Sequence, residues 1–144
     1  MNRKELEAAL EKLDFRKLLD TFLDHVPEAA EPLKKIQAET RFDMMSDLFA
    51  LWDMGIMRYI MELLSNPDVY ADELFRAFVF FERMIDENEM YKSMVFGSTL
   101  GNIYRTPETI NAAVSFMQPK TKRMWDEYQE YEKAFSIWQL SQLQ

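Results

Sequence analysis

Apolar side chains recur every three to four residues along almost the whole chain, and that spacing constrains its fold more than any other feature. Residues at i, i+3, i+4 and i+7 share one face of an α-helix, whereas a half-buried strand needs alternation. The run Phe42, Met45, Leu48, Phe49, Trp52, Ile56, Tyr59, Ile60 and Leu63 follows the helical rule, and β-branched alternation is absent. Only 3 Gly and 5 Pro interrupt 144 residues. The spacing therefore predicts an all-α protein.

The prolines divide the pattern into segments. A first helix is predicted over residues 3–25, with Leu6, Leu10 and Leu13 on one stripe and Phe15, Leu18, Leu19, Phe22 and Val26 on a slightly rotated one. The rotation allows a break near Asp14, which would act as a cap. Pro27 ends this helix, because the residue before a proline disfavours helical geometry. A second helix opens near Pro32 and weakens at Thr40, so residues 32–64 read as a short helix followed by a strong one, with one long bent helix as the alternative. Asn66 and Pro67 then suit the cap and first turn of a helix that carries Leu74, Phe75, Phe78, Phe81, Met84 and Ile85 to about residue 87.

Beyond a polar connection at residues 86–89, a helical region over 90–104 offers Met94, Phe96, Leu100 and Ile103 for burial. Thr106-Pro107-Glu108 is a further capping signature, opening a short helix that ends near Met117. Gln118-Pro119 opens the last helix, where Trp125, Tyr128, Tyr131, Phe135 and Trp138 form an aromatic stripe. Short connections imply antiparallel neighbours, so the expected architecture is a single compact domain of about six antiparallel helices, either a bundle or a short solenoid-like stack. The length suits one domain. A hydrophobic fraction of 48% is enough for a core that needs no staples.

The same residues restrict the chemistry. With 0 Cys there are no disulfides or thiolate metal sites, and with 1 His the two-histidine di-iron pattern is unavailable. Carboxylates alone remain able to hold calcium or magnesium, but no EF-hand loop pattern is present. His25, at the end of the first helix, is a candidate base or ligand on one reading and a structural residue on the other. Gly97 and Gly101 lack the lysine of a phosphate loop and, like Gly55, read as sites of close helix approach. The methionines Met44, Met45, Met54, Met57 and Met61 cannot all face one core, which leaves some for a binding surface. No cofactor or metal is expected.

A formal net charge of −8 opposes binding to phosphate backbones and to anionic membranes. No segment approaches the ~18 uninterrupted apolar residues of a membrane span, and the first residues lack the apolar run of a signal peptide. A cytoplasmic protein is expected. The acidic surplus is either a solvated surface or a surface for a basic protein. Glu39, Asp43 and Asp47 would share one helical face if the helix is continuous there. Asp86, Glu87 and Glu89 form a second cluster at a helix junction, while Asp68, Asp72 and Glu73 suit the first turns of a helix. Lys120, Lys122 and Arg123 stand in the first turn of the last helix, where positive charge opposes the dipole and pairing with nearby acids is expected.

The segment from Asp47-Leu48-Phe49-Ala50 through Met61-Glu62-Leu63-Leu64-Ser65-Asn66, followed by an aromatic-rich helix, resembles a group of small bacterial helical proteins of unknown function. Some of these look like immunity proteins of polymorphic toxin systems. The stretch from Gln118-Pro119-Lys120 to Asp126-Glu127-Tyr128 is similar to their closing helix, with Gln118 where a glycine is usual, and Pro27 also falls where these proteins tend to have a proline. The resemblance implies a helical fold and a non-catalytic, stoichiometric toxin binder, and it supplies no catalytic residue. Glu39, Asp43, Asp47, Asp86, Glu87 and Glu89 are then the candidate partner-binding residues, with exposed aromatics nearby as anchors and a basic toxin domain as partner. A helical adaptor for a housekeeping protein is the alternative, and a carboxylate enzyme the third. The oligomeric state stays open.

Overall fold

A computed structural model of the chain describes residues 2–6 and 15–143. All regular structure among the described residues is helical. From Phe15 onward, eight α-helices follow one another among the described residues: α1 (Phe15–His25), α2 (Ala30–Glu39), α3 (Met57–Leu64), α4 (Ala71–Glu87), α5 (Glu89–Met94), α6 (Gly101–Tyr104), α7 (Ile110–Phe116) and α8 (Pro119–Ser141). A π-helical segment, Ala50–Ile56, leads into α3, and a second, Val95–Leu100, joins α5 to α6. The all-α expectation holds. Among the described residues the count from Phe15 on is eight rather than about six, chiefly because a π segment divides residues 89–104, while the separate α2 and α3 agree with the reading of a short helix followed by a strong one. No helix among the described residues is long and apolar enough to cross a membrane.

Local chemistry explains most boundaries. Val26, before Pro27, leaves the helical region at φ −132°, ψ 73°. Residues 3–6 are also helical, but Leu10, Leu13 and the expected cap Asp14 lie outside the described residues. Thr40 is extended at φ −99°, ψ 151° and ends α2. The Asn66-Pro67 boundary is displaced: the chain turns through residues 65–70 and α4 starts only at Ala71, with Tyr70 before it and no side-chain cap. Asn66 contributes its carbonyl, which accepts from the Tyr70 N–H at 3.3 Å. Asp68 therefore lies ahead of the helix, while Asp72 and Glu73 do sit in its first turn. Thr106 marks its boundary without capping it; its hydroxyl donates back to the Asn102 carbonyl at 3.0 Å.

The buried apolar residues form one cluster with α4 at its centre. Phe78, Phe80 and Phe81 are fully buried on three neighbouring directions of this helix. Phe80 meets Phe22 of α1 edge-on at 5.1 Å, Phe81 lies 6.2 Å from Trp52, and Phe78 stacks on Phe116 of α7 at 6.1 Å. Each such side chain contributes about 1.5–3 kcal/mol through burial. Phe75, on the predicted stripe, is instead exposed and Phe80 takes its place inside. Met44, Met57, Met84 and Met124 are core residues. A Cβ on Gly55 would stand 2.9 Å from the Met44 sulfur, so this glycine does serve close packing, whereas a Cβ on Gly97 would meet nothing within 4 Å.

Candidate partner-binding surface

Glu39, Asp43 and Asp47 do not line one helical face, because the helix is not continuous through Thr40. Glu39 ends α2, Asp43 and Asp47 lie in the connection between α2 and the first π segment, and each carboxylate has a local task. Glu39 accepts from Arg58 Nη2 of α3 at 2.9 Å. Asp43 accepts from the Met45 N–H at 2.9 Å and Asp47 from the Ala50 N–H at 2.7 Å, so both act as caps. Gln37 holds the turn from the other side, donating through Nε2 to the Phe42 carbonyl at 2.8 Å and accepting through Oε1 from the Met44 N–H at 2.7 Å. Short polar bonds thus shape this connection, and they leave two large rings outside: Phe42 is 65% and Phe49 57% exposed. Both rings belong to the run predicted as one apolar face. The periodicity could not separate them from Leu48 and Trp52, which are buried.

The second acidic cluster lies where α4 meets α5. Asn88 is extended at φ −166°, ψ 168°, and its side chain accepts from the Tyr91 N–H at 2.8 Å, which opens α5. Glu89 sits in that first turn, where the dipole favours it. Asp86 pairs with Lys120 of α8. Glu87 and Glu89 are exposed and make no hydrogen bond or ion pair among the described residues. Lys122 pairs with Asp126 at 2.9 Å. The expected pairing of the basic turn therefore holds for Lys120 and Lys122. No hydrogen bond or ion pair among the described residues joins the two acidic clusters.

His25 has a structural environment. Its Nδ1 donates to the Thr21 carbonyl at 2.9 Å, its ring lies edge-on to Phe80, and its own carbonyl accepts from Arg76. The Arg76 guanidinium also bonds Glu28 and Asp72, and the hydrogen bond to Glu28, ahead of that to Asp72, holds it above the ordinary arginine range. Burial, reinforced by Glu28 and Glu73, pushes the Tyr59 phenol up to about 12. No group of three or more His, Asp or Glu among the described residues is placed to hold a metal ion.

One polar arrangement left no clear signal in the sequence. The two π segments face each other, and Asp53 of the first accepts from Ser98 Oγ at 2.7 Å and from Asn102 Nδ2 at 2.8 Å. Beneath this, Trp52 Nε1 donates to Thr99 Oγ1 at 2.9 Å in the core. π-Helical turns are frequent at functional sites. Asp53 of the first segment and its partner Asn102 of α6 also line a groove of about 800 Å³, together with residues that include Arg58, Met61 and Thr106. The polar pair Ser98-Thr99 within an apolar stretch was the one available hint.

Comparison with protein-family models, with curated proteins and with solved structures returns no match for this chain.

Proposed function

We propose that this protein is a non-catalytic binding domain of the immunity type, acting in the cytoplasm and neutralising a cognate toxin by stoichiometric binding. One observation carries the reading. Phe42 and Phe49 are exposed on a connection whose backbone is held by Gln37, Asp43 and Asp47. Interface hot spots are commonly aromatic anchors on a rigid support, surrounded by contacts that exclude water. The carboxylates beside these rings, together with a net charge of −8, favour a basic partner such as a nuclease domain and would speed encounter with it. The sequence resemblance to immunity proteins supports the same reading, and the charge disfavours nucleic acid and anionic membranes as direct partners.

Affinity capture of the tagged protein from its native cell tests this. A basic protein encoded beside it should copurify, and co-expression should protect cells from that protein. Capture without such a partner, together with no protection, would remove the proposal.

The groove beside the first π segment favours a second reading, in which the protein is a helical adaptor that takes a segment of a housekeeping protein between Met61 and Thr106. A captured non-toxic partner whose binding is lost in Met61→Glu but kept in Phe42→Ala would select it.

A further inference from the structure

The groove beside the first π segment offers a ligand almost nothing but acceptors. Asp53 receives Ser98 and Asn102 on one oxygen, Oδ1, and its Oδ2 makes no hydrogen bond among the described residues. Asn102 spends its amide hydrogens on Asp53 and on the Ser98 carbonyl at 2.7 Å, so only its Oδ1 is left over. The hydroxyls of Ser65, Thr106 and Thr109 each donate their single proton to a backbone carbonyl and keep lone pairs alone. Glu62 and Glu108 also line the groove, are exposed, and make no side-chain hydrogen bond or ion pair among the described residues. Arg58 is the one cation among the described lining residues, and Glu39 already holds it at 2.9 Å. The remaining lining, Met61, Leu64, Pro67 and Ala112, is apolar.

We infer that this groove takes a basic segment of a protein partner, whose lysine or arginine side chains enter it. The occupant rests on the adaptor reading, in which a partner segment lies in the groove, and adds the chemistry of that segment. Charge complementarity favours it: three carboxylates meet one engaged guanidinium, so an entering cation gains and an acidic segment is repelled. Hydrogen bonding favours it separately. Lysine and arginine side chains only donate, whereas the acceptors of a neutral polar side chain would find few donors there and lose those they had in water. Their methylene stems suit the apolar lining. A bare metal ion suits the groove less well, because no three carboxylates among the described residues gather to hold one. A free polyamine carries the same donors, but a thin chain would fill little of about 800 Å³, and a small-molecule site encloses most of its ligand. From Asp53 to Glu62 the helix advances roughly 13 Å at ~1.5 Å per residue. An extended segment covers that distance in about four residues at ~3.3 Å each, and residues four apart point to the same side. Two basic residues at that spacing match the two carboxylates.

Nuclear magnetic resonance titration of the isotope-labelled full chain tests this. The probe is a short Gly-Ser peptide carrying two arginines four residues apart. Resonances of Asp53, Glu62, Asn102 and Glu108 should move on its addition, with a Kd below roughly 1 mM, and added salt should weaken it. The same peptide with glutamine in place of both arginines should leave them still. The double substitution Glu62→Gln, Glu108→Gln removes two exposed carboxylates and should weaken binding about fivefold or more, with the core resonances unchanged. An arginine peptide that moves none of these resonances overturns the inference, as does a Kd unaltered by the double substitution. Spermine moving the same resonances at lower concentration than the peptide overturns it too, by making the occupant a small polycation. A groove that takes the glutamine peptide equally well overturns the basic chemistry and leaves the adaptor reading standing. That reading fails on a different observation, a captured partner whose binding survives Met61→Glu.

Discussion

Glu82 of α4 closes the start of α8 by accepting from the Thr121 N–H at 2.8 Å, across 39 residues of sequence. Its second oxygen accepts from the Lys120 N–H at 2.9 Å. Gln118, in the cap position, makes no side-chain cap bond, so these free N–H groups depend on the central helix for partners. The arrangement also places carboxylates of Glu82 and Asp86 beside a first turn that bears Lys120 and Lys122, offsetting an unfavourable placement of positive charge at a helix N-terminus.

Replacing Glu82 by alanine should lower the unfolding free energy by about 1–2 kcal/mol, the upper part of the range for a lost cap. Glu82→Gln should lose less, because the amide keeps one acceptor oxygen. Urea denaturation with an unchanged m-value measures both. Equal stability of all three proteins would show that the cap contributes nothing.

Thr99→Val keeps the shape of the side chain but leaves the buried Trp52 N–H without an acceptor. An unpaired buried donor costs about 1–3 kcal/mol, so the melting temperature should drop clearly. Thr99→Ser, which retains the hydroxyl and loses a methyl group, should fall between this variant and the wild type.

Asp47→Asn separates two roles of one carboxylate. Asparagine caps about as well as aspartate, so thermal stability should stay within about 0.5 kcal/mol of wild type. Association with a basic partner should nonetheless slow and become less salt-dependent. Phe42→Ala and Phe49→Ala should likewise leave stability nearly unchanged, since both rings are exposed, yet weaken that complex at least about tenfold, as the loss of hot-spot residues does. Calorimetry on the free protein and surface binding to the captured partner read the two effects separately.

Tyr59 predicts behaviour in alkali. Its phenol has an ordinary value of 10.0 and is pushed up to about 12 in the folded protein by burial and then by Glu28 and Glu73. The folded state therefore holds the proton more tightly than the unfolded state. The associated stability is complete below pH ~10 and is lost as pH rises toward ~12. Tyr128 shifts in the same direction, through burial and its hydrogen bond to Glu132. Tyr59→Phe should remove part of the alkaline loss and Tyr59→Phe with Tyr128→Phe more of it. Denaturant midpoints compared at pH 9 and pH 11 check the sign, and a Tyr59→Phe protein with an unaltered alkaline slope would refute it.

Much of the architecture was legible in short-range signals. Pro27, Pro107 and Pro119 mark breaks between helical stretches because a proline constrains its own φ and the residue before it. Asn66-Pro67 misled because the same residues also suit a plain turn, and nothing in the local sequence distinguishes a turn that precedes Ala71 from a cap that begins a helix. The π segments were not legible at all. They change hydrogen-bond partners without changing which residue types are apolar.

The candidate surface divides in the same way. The identities of Glu39, Asp43, Asp47, Asp86, Glu87 and Glu89 were readable, but their roles were not. A cap such as Asp47 depends on backbone geometry two or three residues away, and the pairing of Asp86 depends on a helix 34 residues further on. Phe42 and Phe49 carry the same hydrophobic character as their buried neighbours.

By itself, the sequence determined that this protein is helical and acidic, without thiol chemistry, because spacing, charge and composition are properties of residues and their near neighbours. Tertiary structure alone decided which apolar side chains stay outside. The stripe along α8 is uniform in sequence, yet Trp125 and Tyr128 are buried while Phe135 and Trp138 are not. The physical reason is that helical periodicity specifies a face, whereas burial requires a second surface opposite that face. Here Tyr128 is the last buried residue of α8, Tyr131 still meets Phe96 on one side, and Phe135 and Trp138 have no such surface opposite them among the described residues.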